Sequence, residues 1–296
     1  MKKAHLPLTH ALGWIVGSML VVNGVGYSCF KMYLRHHHAP KVDKYVRSII
    51  QTGPQKQILK TEYLAEILGL SADAPQHVSI LNLPKLKEKL LSSPLISHAE
   101  LKIIKPNSLY IDYTVRQPIA FLGDFENVAI DREGYPFPFA PFFTPKNLPE
   151  IVLGLSSFNT HPEDPDKPQA AWGKSLKGKY LDIALQILFY ASDPSVSDYF
   201  NVTCIDVSRA FSQSCGTREI VVTTRDTFYT ANISCAAQRL LRLSTKHFAQ
   251  ELGNYLKLRE PLLEEDRKAL SAAPSQPLPE RIIDLRIPNL AFVDIK

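Results

Sequence analysis

The sequence predicts an α+β protein: one N-terminal transmembrane helix, a small domain of strand–helix–helix–strand–strand order, and a larger β-rich domain with flanking helices. Two observations carry this prediction. Residues 11–30 form an uncharged, apolar run of membrane-spanning length. Residues 83–137 pass from a lysine-rich amphipathic segment into two strand-like stretches joined by a Pro-Asn-Ser turn. A helix packed on a hairpin carries no chemistry of its own, so the pattern favours binding over catalysis.

The composition is that of a globular protein with a sizeable core. The chain has 296 residues, of which 45% are hydrophobic and 21% are charged. Its formal net charge of +5 is small and dispersed, and the sequence has no arginine-rich arm, zinc-finger spacing or basic–aromatic stripe. The composition therefore argues against a nucleic-acid partner.

The apolar run predicts a transmembrane helix over residues 11–34. Trp14 near one end and Tyr33 near the other suit the aromatic belts of a membrane helix. No comparable apolar stretch follows, so we expect one crossing at most. Residues 1–10 then form a short tail and residues 35–44 a polar stalk.

Two other interpretations of this segment stay open. Gly26 to Ser28 offers small residues spaced as for signal-peptide cleavage. Cys29 stands where a lipid could be attached, although Gly26 occupies the position where that signal has a bulky aliphatic residue. Positive charges flank both ends of the run, so charge counting alone does not fix its orientation.

The first predicted domain covers residues 45–117. Its elements are, in order, a strand at 45–51, a helix capped by Thr61 and ended by Gly69, a helix starting near Pro84, and strands at 96–105 and 109–116. The last strand alternates apolar and polar residues. Its inward face carries Leu109, Ile111, Tyr113 and Val115.

The second predicted domain covers residues 118–296 and begins with short strands. The sequence then predicts a loop at 155–172, a helix at 180–190, a β-meander over 201–234 with its tight turn at Arg225–Asp226, a helix at 236–256, a polar proline-bearing insertion at 260–279, and closing strands at 281–287 and 290–293.

Neither the cysteines nor the histidines predict a functional site. Cys204 and Cys215 could pair across a hairpin and leave Cys235 free, or all three could be small buried hydrophobes. The triplet at 36–38 lacks a cysteine or carboxylate spaced to complete a metal site, so a polar tract is the preferred interpretation. We therefore expect no metal and no cofactor.

Enzyme signatures are missing from the sequence as well. It has no Gly-x-Ser-x-Gly elbow, His-Glu-x-x-His motif, phosphate loop or dinucleotide glycine pattern. The carboxylates of residues 161–166 cluster in a loop, where a solvated turn accounts for them. We expect a protein that is not an enzyme and that takes no small-molecule substrate, although a triad of distant residues would not show in this way.

Three passages resemble the FtsQ/DivIB bacterial cell-division family. The first, residues 90–99, is a helix end followed by proline and a buried aliphatic residue before a strand. The second joins Val115-Arg116-Gln117-Pro118-Ile119-Ala120 to Ile130-Asp131 and Gly134-Tyr-Pro-Phe137. The third is Ile283-Asp284-Leu285-Arg286, after which this chain has Ile287 where the family often has an aromatic residue.

The resemblance implies a bitopic inner-membrane protein at the division site. Residues 1–10 would be cytoplasmic, 11–34 the transmembrane helix, 35–44 the stalk, 45–117 a POTRA domain and 118–296 a periplasmic β domain. Such a protein links early and late components of the divisome and supports septal peptidoglycan synthesis. Its partners would be the coiled-coil subunits FtsB and FtsL and, through them, the septal synthase FtsW/FtsI.

A scaffold of this kind binds by β-augmentation, in which a partner segment adds to an exposed strand edge. The candidate partner-binding residues in the C-terminal strands are Ile283, Leu285, Ile287, Leu290, Phe292 and Val293. A second candidate edge, in the strand at 96–105, carries Leu101 and Ile103. Because strands alternate faces, part of the C-terminal set could instead be core, and the lysines at 102 and 105 could simply protect the second edge.

Two alternatives keep the domain order but change the role. A POTRA-containing envelope-assembly factor would need repeated POTRA units or a train of barrel strands, and the predicted helices at 180–190 and 236–256 argue against a barrel. A lipid-anchored periplasmic binding protein requires processing at Cys29.

Overall fold

The computed structural model describes residues 8–37, 44–54, 59–155, 170–197, 201–230, 233–273 and 277–295. Its α-helices are α1 (Leu8–His37), α2 (Thr61–Leu68), α3 (Leu83–Leu91), α4 (Lys179–Ala191) and α5 (Phe248–Ala272). The strands of the first half are β1 (Ser48–Thr52), β2 (Ile96–Ile104), β3 (Ser108–Val115), β4 (Ala120–Leu122), β5 (Val128–Ile130) and β6 (Pro136–Pro138). Those of the second half are β7 (Glu150–Val152), β8 (Val202–Asp206), β9 (Ile220–Thr230), β10 (Ile233–Leu243), β11 (Arg281–Asp284) and β12 (Phe292–Ile295).

Helix α1 is long and apolar enough to cross a membrane. The stretch Leu12–Arg35 has 24 residues with a mean hydropathy of 1.4, and none of it is buried against the rest of the described protein. Because this apolar helix does not pack on the body, its side chains require another apolar environment, and the interior of a lipid bilayer supplies one. The helix extends a few residues beyond the predicted range of 11–34.

The first sheet has three strands in the order β1–β3–β2. Strand β1 runs parallel to β3, and β2 pairs with β3 as an antiparallel hairpin. Helices α2 and α3 cover one face, where they bury the four residues predicted to face inward from β3; those residues are 0–1% exposed. The predicted element order of this half, strand–helix–helix–strand–strand, is confirmed.

Local sequence accounts for the ends of these helices. Gly69 adopts a left-handed conformation (φ 69°) and donates its N–H to the last carbonyls of α2. Asn82 caps α3, because its Oδ1 accepts a hydrogen bond from the amide of Lys85 at 3.1 Å. The predicted cap at Thr61 is wrong: Thr61 is the first residue of α2, and Lys60 precedes it without a side-chain cap.

The second sheet has nine strands in the order β12–β11–β10–β9–β8–β7–β4–β5–β6. Three neighbouring pairs are parallel, β4 with β7, β7 with β8, and β10 with β11; the other pairs are antiparallel. Helices α4 and α5 bury their apolar faces in its large core. The body after α1 is therefore a mixed, β-rich structure, as the sequence predicts.

The predicted turn at Arg225–Asp226 is wrong. Both residues lie inside β9, which continues to Thr230 and pairs with β10 over eleven positions. Asp226 is 2% exposed and accepts a hydrogen bond from the hydroxyl of Tyr255 at 2.5 Å. An arginine–aspartate pair is typical of a turn when it is solvated, but here the aspartate has buried partners that the local sequence does not reveal.

The helix predicted at 236–256 is wrong over residues 236–243 and confirmed from Phe248 onward, and the insertion predicted at 260–279 is wrong over residues 260–272, which are helical. Alanine, glutamine, leucine and arginine favour a helix by propensity. In the fold, however, residues 236–243 belong to β10, because β9 and β11 pair with both of its sides. Helix α5 starts at Phe248 and continues past Pro261 to Ala272. The burial of Leu262, Leu263 and Asp266 after the proline offsets the lost backbone hydrogen bond.

Aromatic packing joins the two sheets. Phe137 and Phe139, which follow the second-sheet strand β5, are buried in the core of the first sheet. The ring of Tyr63 on α2 lies 5.3 Å from that of Phe142. The β5–β6 end of the second sheet and the first sheet therefore share one hydrophobic core.

Several sequence predictions fall partly or wholly outside the described residues. These are most of the tail at 1–10, the stalk over residues 38–43, the histidine triplet, whose side chains are not described, and the loop over residues 156–169. Cys29, Cys204, Cys215 and Cys235 are all free, so the pairing of Cys204 with Cys215 is not present.

Candidate partner-binding edge

The C-terminal strands β11 and β12 form one end of the nine-stranded sheet. Strand β11 pairs in parallel with β10 over Arg239–Arg242 and antiparallel with β12. Strand β12 is the terminal strand of the sheet in the part of the chain that the structure describes, so its outer edge has no strand neighbour there. Its backbone groups on that side have no strand partner among the described residues, and the N–H of Ile295 donates to Asp294 Oδ1 at 2.9 Å.

The six candidate residues in these strands divide into two groups. Ile283 is 0% exposed and Leu285 is 4% exposed, and both belong to the core beneath the sheet. Their side chains stabilise β11 and are not accessible to a partner. The other four are exposed: Ile287 (49%), Leu290 (56%), Phe292 (56%) and Val293 (44%).

Strand β12 presents apolar side chains on both of its faces. Val293 pairs with buried Ile283 and therefore points to the core side of the sheet, whereas Phe292 points to the other side. Ile295, which is 59% exposed, shares the face of Val293. Sequence reasoning missed Ile295, although continuing the alternation beyond Val293 by two residues would have found it.

Protein-family models and curated protein sequences gave no match to this chain.

A cluster of charges fixes the turn that leads from β11 to β12. The Arg286 guanidinium donates to both carboxylate oxygens of Asp284, at 2.9 Å from Nε to Oδ1 and 2.6 Å from Nη2 to Oδ2. Its Nη1 also donates to the carbonyl of Gly216 at 3.3 Å. Asn289 adopts a positive φ of 59° at the turn, which asparagine tolerates better than most residues. The hydrogen bonds of Arg286 therefore stabilise the turn that precedes Phe292.

The electrostatics of this turn favour ionised side chains. Burial alone would raise the pKa of Asp284, but the hydrogen bonds and charge of Arg286, with the charge of Arg242, outweigh it and hold that pKa below its ordinary value. The pKa of Arg286 is raised, chiefly by its hydrogen bond to Asp284. Both groups are charged at neutral pH.

A groove of about 410 Å³ lies beside the turn. Its lining combines apolar Ile287 with the basic side chains of Arg218, Lys246 and His247. The guanidinium of Arg218 donates to backbone carbonyls, at 2.9 Å to that of Ser212. The surface beside the turn between β11 and β12 is thus partly apolar and partly charged.

The second candidate edge, β2, is also a terminal strand but has a different character. Leu101 and Ile103 are half-buried toward the helices. On the opposite face, Lys102 lies 3.4 Å from Glu100 in an exposed ion pair. A shallow groove of about 350 Å³ separates this strand from the start of α3. Charged side chains of this kind are what native proteins use to protect an edge from pairing.

Among residues with defined positions, no group of three or more histidine, cysteine, aspartate or glutamate side chains is arranged to hold a metal ion. A wider cleft, of about 740 Å³, lies where the two sheets meet. Its buried charged groups, Arg116 and Asp131, are bonded to each other at 2.6 Å. The two buried charges of this cleft are therefore already paired with each other and stabilise the fold.

A buried ion cluster lies behind β11, and no local sequence pattern predicts it. Arg239 on β10 and Asp266 on α5 are each 0% exposed and form an ion pair. Arg281, at the start of β11, donates to the same carboxylate at 3.0 Å. Its members become neighbours only when α5 lies on the sheet.

Proposed function

We propose that this protein is a single-pass membrane scaffold that captures an extended segment of a partner protein on the free edge of β12. The observation that carries this proposal is that β12, a terminal strand whose outer edge has no strand neighbour among the described residues, exposes apolar side chains on both of its faces. The backbone of the edge would supply affinity, and the flanking apolar side chains would supply selectivity.

Among its described residues, β12 has no lysine, proline or bulge to protect its edge, although the strand is short, with four residues, and carries one charge. Native edges carry lysines, prolines, bulges or a covering segment. In the described part of β12, Asp294 is the one charged residue, and all four of its residues are exposed. A partner strand would pair with this edge and cover Val293 and Ile295 on one face and Phe292 on the other.

The contrast with β2 ranks the two candidate edges. On β2, the outward side chains His98, Glu100 and Lys102 are charged or polar and exposed, and the chain bulges between Ile96 and His98. These features oppose strand addition. Leu101 and Ile103 are therefore the weaker candidates, and the primary contact set becomes Ile287, Leu290, Phe292, Val293 and Ile295.

The sequence motifs give the scaffold its biological setting. By resemblance to the FtsQ/DivIB family, residues 45–117 would be a POTRA domain and 118–296 a β domain in the periplasm, with the N-terminus in the cytoplasm. The captured segment would come from the coiled-coil subunits FtsB and FtsL at the division site. Through them the scaffold would support the septal synthase FtsW/FtsI.

The direct test is site-specific photo-crosslinking from Leu290 and Phe292 in dividing cells, with the captured proteins identified by mass spectrometry. We expect crosslinks to the coiled-coil subunits from both positions. A matched control is Tyr229 on β9, which is 75% exposed but is separated from β12 by two strands. Equal crosslinking from Tyr229, or none from Leu290 and Phe292, would contradict the proposal.

Variants give a second test by co-purification. Val293→Asp places a charge in the proposed contact and should greatly reduce recovery of FtsB and FtsL, whereas Tyr229→Asp should not. Removing residues 291–296 should have the same effect as Val293→Asp. Removing residues 281–296 is a poorer test, because it also deletes the core side chains of Ile283 and Leu285.

A further inference from the structure

The buried ion cluster sits at the junction on which the proposed binding edge depends. Strand β12 has β11 as its strand neighbour, and β11 is attached to the sheet by four registered positions on β10, from Arg239 to Arg242. Whatever holds β11 on β10 therefore also holds β12.

The register of β10 and β11 places two arginines side by side. Arg239 pairs with Arg281 in the parallel ladder, and both point to the core side, where they are 0% and 8% exposed. Like charges directly opposite each other destabilise a strand pair, and burial increases their repulsion because the surroundings are less polar than water. The pairing of β11 with β10 therefore requires a compensating negative charge.

Asp266 on α5 supplies that charge. Its Oδ2 accepts a hydrogen bond from Arg239 Nη2, and its Oδ1 accepts one from Arg281 Nη2 at 3.0 Å. One fully buried carboxylate thus bridges two neighbouring strands and the helix that connects them. Glu265 also contacts Arg281, at 2.8 Å, but its side chain is 59% exposed. Water therefore solvates this carboxylate whether or not β11 is paired with β10.

The other buried carboxylate of the cluster, Asp226, contacts α5 and Arg239 but not β11. Asp226 on β9 accepts hydrogen bonds from Tyr255 at 2.5 Å and from Arg259 at 3.4 Å, both on α5. Arg239 Nε lies 4.0 Å from the same carboxylate. Among the described carboxylates in this cluster, Asp266 is the fully buried one that contacts β11.

We propose that Asp266 is a positioning residue for partner capture: it neutralises Arg239 and Arg281, holds β11 on β10, and so keeps β12 in place as a preformed edge. This inference rests on the proposed function. It makes partner affinity depend on a carboxylate that a partner on the outer edge of β12 does not touch, because a strand that is ordered for only part of the time binds with proportionally lower affinity.

The test compares Asp266→Asn with Glu265→Gln in the full-length chain, in detergent or nanodiscs. Asp266→Asn removes the buried charge at nearly constant volume, and Glu265→Gln removes the exposed charge next to it. Hydrogen exchange is read on β11 and β12 and, as an internal reference, on β7 to β9. Binding is measured with the purified FtsB–FtsL pair. We expect Asp266→Asn to accelerate exchange selectively in β11 and β12 and to weaken binding about tenfold. Glu265→Gln should match the wild type.

A rescue variant separates positioning from a direct effect of charge. Replacing the triad together, by Arg239→Met, Asp266→Leu and Arg281→Met, substitutes apolar groups of similar volume for the buried ions, which proteins often tolerate. We expect this variant to restore both the protection of β12 and the affinity. It also decides the matter if Asp266→Asn fails to fold.

Four outcomes would overturn the inference. They are unchanged exchange of β11 and β12 in Asp266→Asn, exchange that rises equally throughout the sheet, unchanged binding by that variant, and a triple variant with native protection that does not bind. Failure of the wild-type chain to bind the FtsB–FtsL pair would instead refute the proposed function. The hydrogen-exchange result would still show whether Asp266 stabilises the pairing of β11 with β10.

Discussion

The guanidinium of Arg116 and the carboxylate of Asp131 link the end of β3 to the turn that follows β5, with 2.6 Å between Nη1 and Oδ2. The same guanidinium donates through Nε to the carbonyl of Pro94 at 3.1 Å and lies 3.9 Å from the ring centroid of Tyr135. Both charged side chains are nearly buried. This pair therefore ties the first sheet to the second at the point where the chain passes between them.

Replacing Arg116 by methionine should destabilise the protein by about 3 kcal/mol, because it leaves the Asp131 carboxylate buried without its cation. The measurement is the free energy of unfolding in urea. Arg132→Met is the matched control, since the Arg132 guanidinium lies over the partly exposed ring of Phe189 at 5.0 Å and should contribute less than about 1 kcal/mol. Equal losses of unfolding free energy in the two variants would show that the buried Arg116–Asp131 pair stabilises the protein no more than the contact of Arg132 with Phe189 does.

Gly134→Ala should cost about 2–4 kcal/mol of stability. Gly134 has a φ of +78°, and a Cβ there would lie 2.6 Å from Leu181 Cδ2 and 2.9 Å from the carbonyl oxygen of Leu176. Gly173→Ala is the control, because Gly173 has a similar φ of +74° with nothing within 4 Å of the added carbon. The difference in unfolding free energy between the two variants isolates the steric term, and no difference would rule that term out.

The thiol of Cys204 should be chemically inert at neutral pH. Burial, aided by the nearby carboxylates of Glu150 and Asp206, raises its pKa to about 11. At pH 8 roughly one molecule in a thousand would carry the reactive thiolate. In a variant whose other three cysteines are serine, alkylation by iodoacetamide should be slow and should accelerate steadily from pH 8 to pH 10. A rate that reaches its plateau below pH 9 would contradict this assignment.

Asp284 should stabilise the turn before β12 at neutral pH and not in acid. Its folded-state pKa lies below the ordinary value of 3.8. Its contribution is therefore complete above that ordinary value and is lost as the pH falls through the folded-state pKa. We expect Asp284→Asn to be less stable than the wild type at pH 7, with a difference that shrinks as the pH falls below about 4. Urea unfolding of both proteins at pH 7 and pH 3 measures the change in this difference, and a constant difference would argue against the shift.

Sequence reasoning succeeded where local pattern and tertiary structure agree. The alternation in β3 places Leu109, Ile111 and Tyr113 on one face, and all three are buried there. A proline in the first turn of α3 and a glycine after α2 mark those helices as the structure has them. These features need no information from distant parts of the chain.

It failed where a buried charge interrupts an apolar face. Arg239 occupies an inward position of β10 between Ala237 and Leu241, so the strand does not read as alternating. Its partner Asp266 is 27 residues away, on a helix whose Pro261 and polar composition predict an insertion instead. With β10 assigned as a helix, the burial of Ile283 against it could not be inferred, and the C-terminal candidates could not be divided into core and edge.

The parallel pairing of β10 and β11 also imposes an order on folding. The β9–β10 hairpin is local and can form early, whereas β11 can join only after the crossover through α5 has packed. Before β11 joins, the margin of β10 from Arg239 to Arg242 has no partner strand on that side. Guanidinium groups on both faces of that margin would discourage aggregation through wrong strand pairing. We therefore expect Arg239, which Asp266 neutralises in the finished fold, to limit wrong strand pairing before β11 is in place.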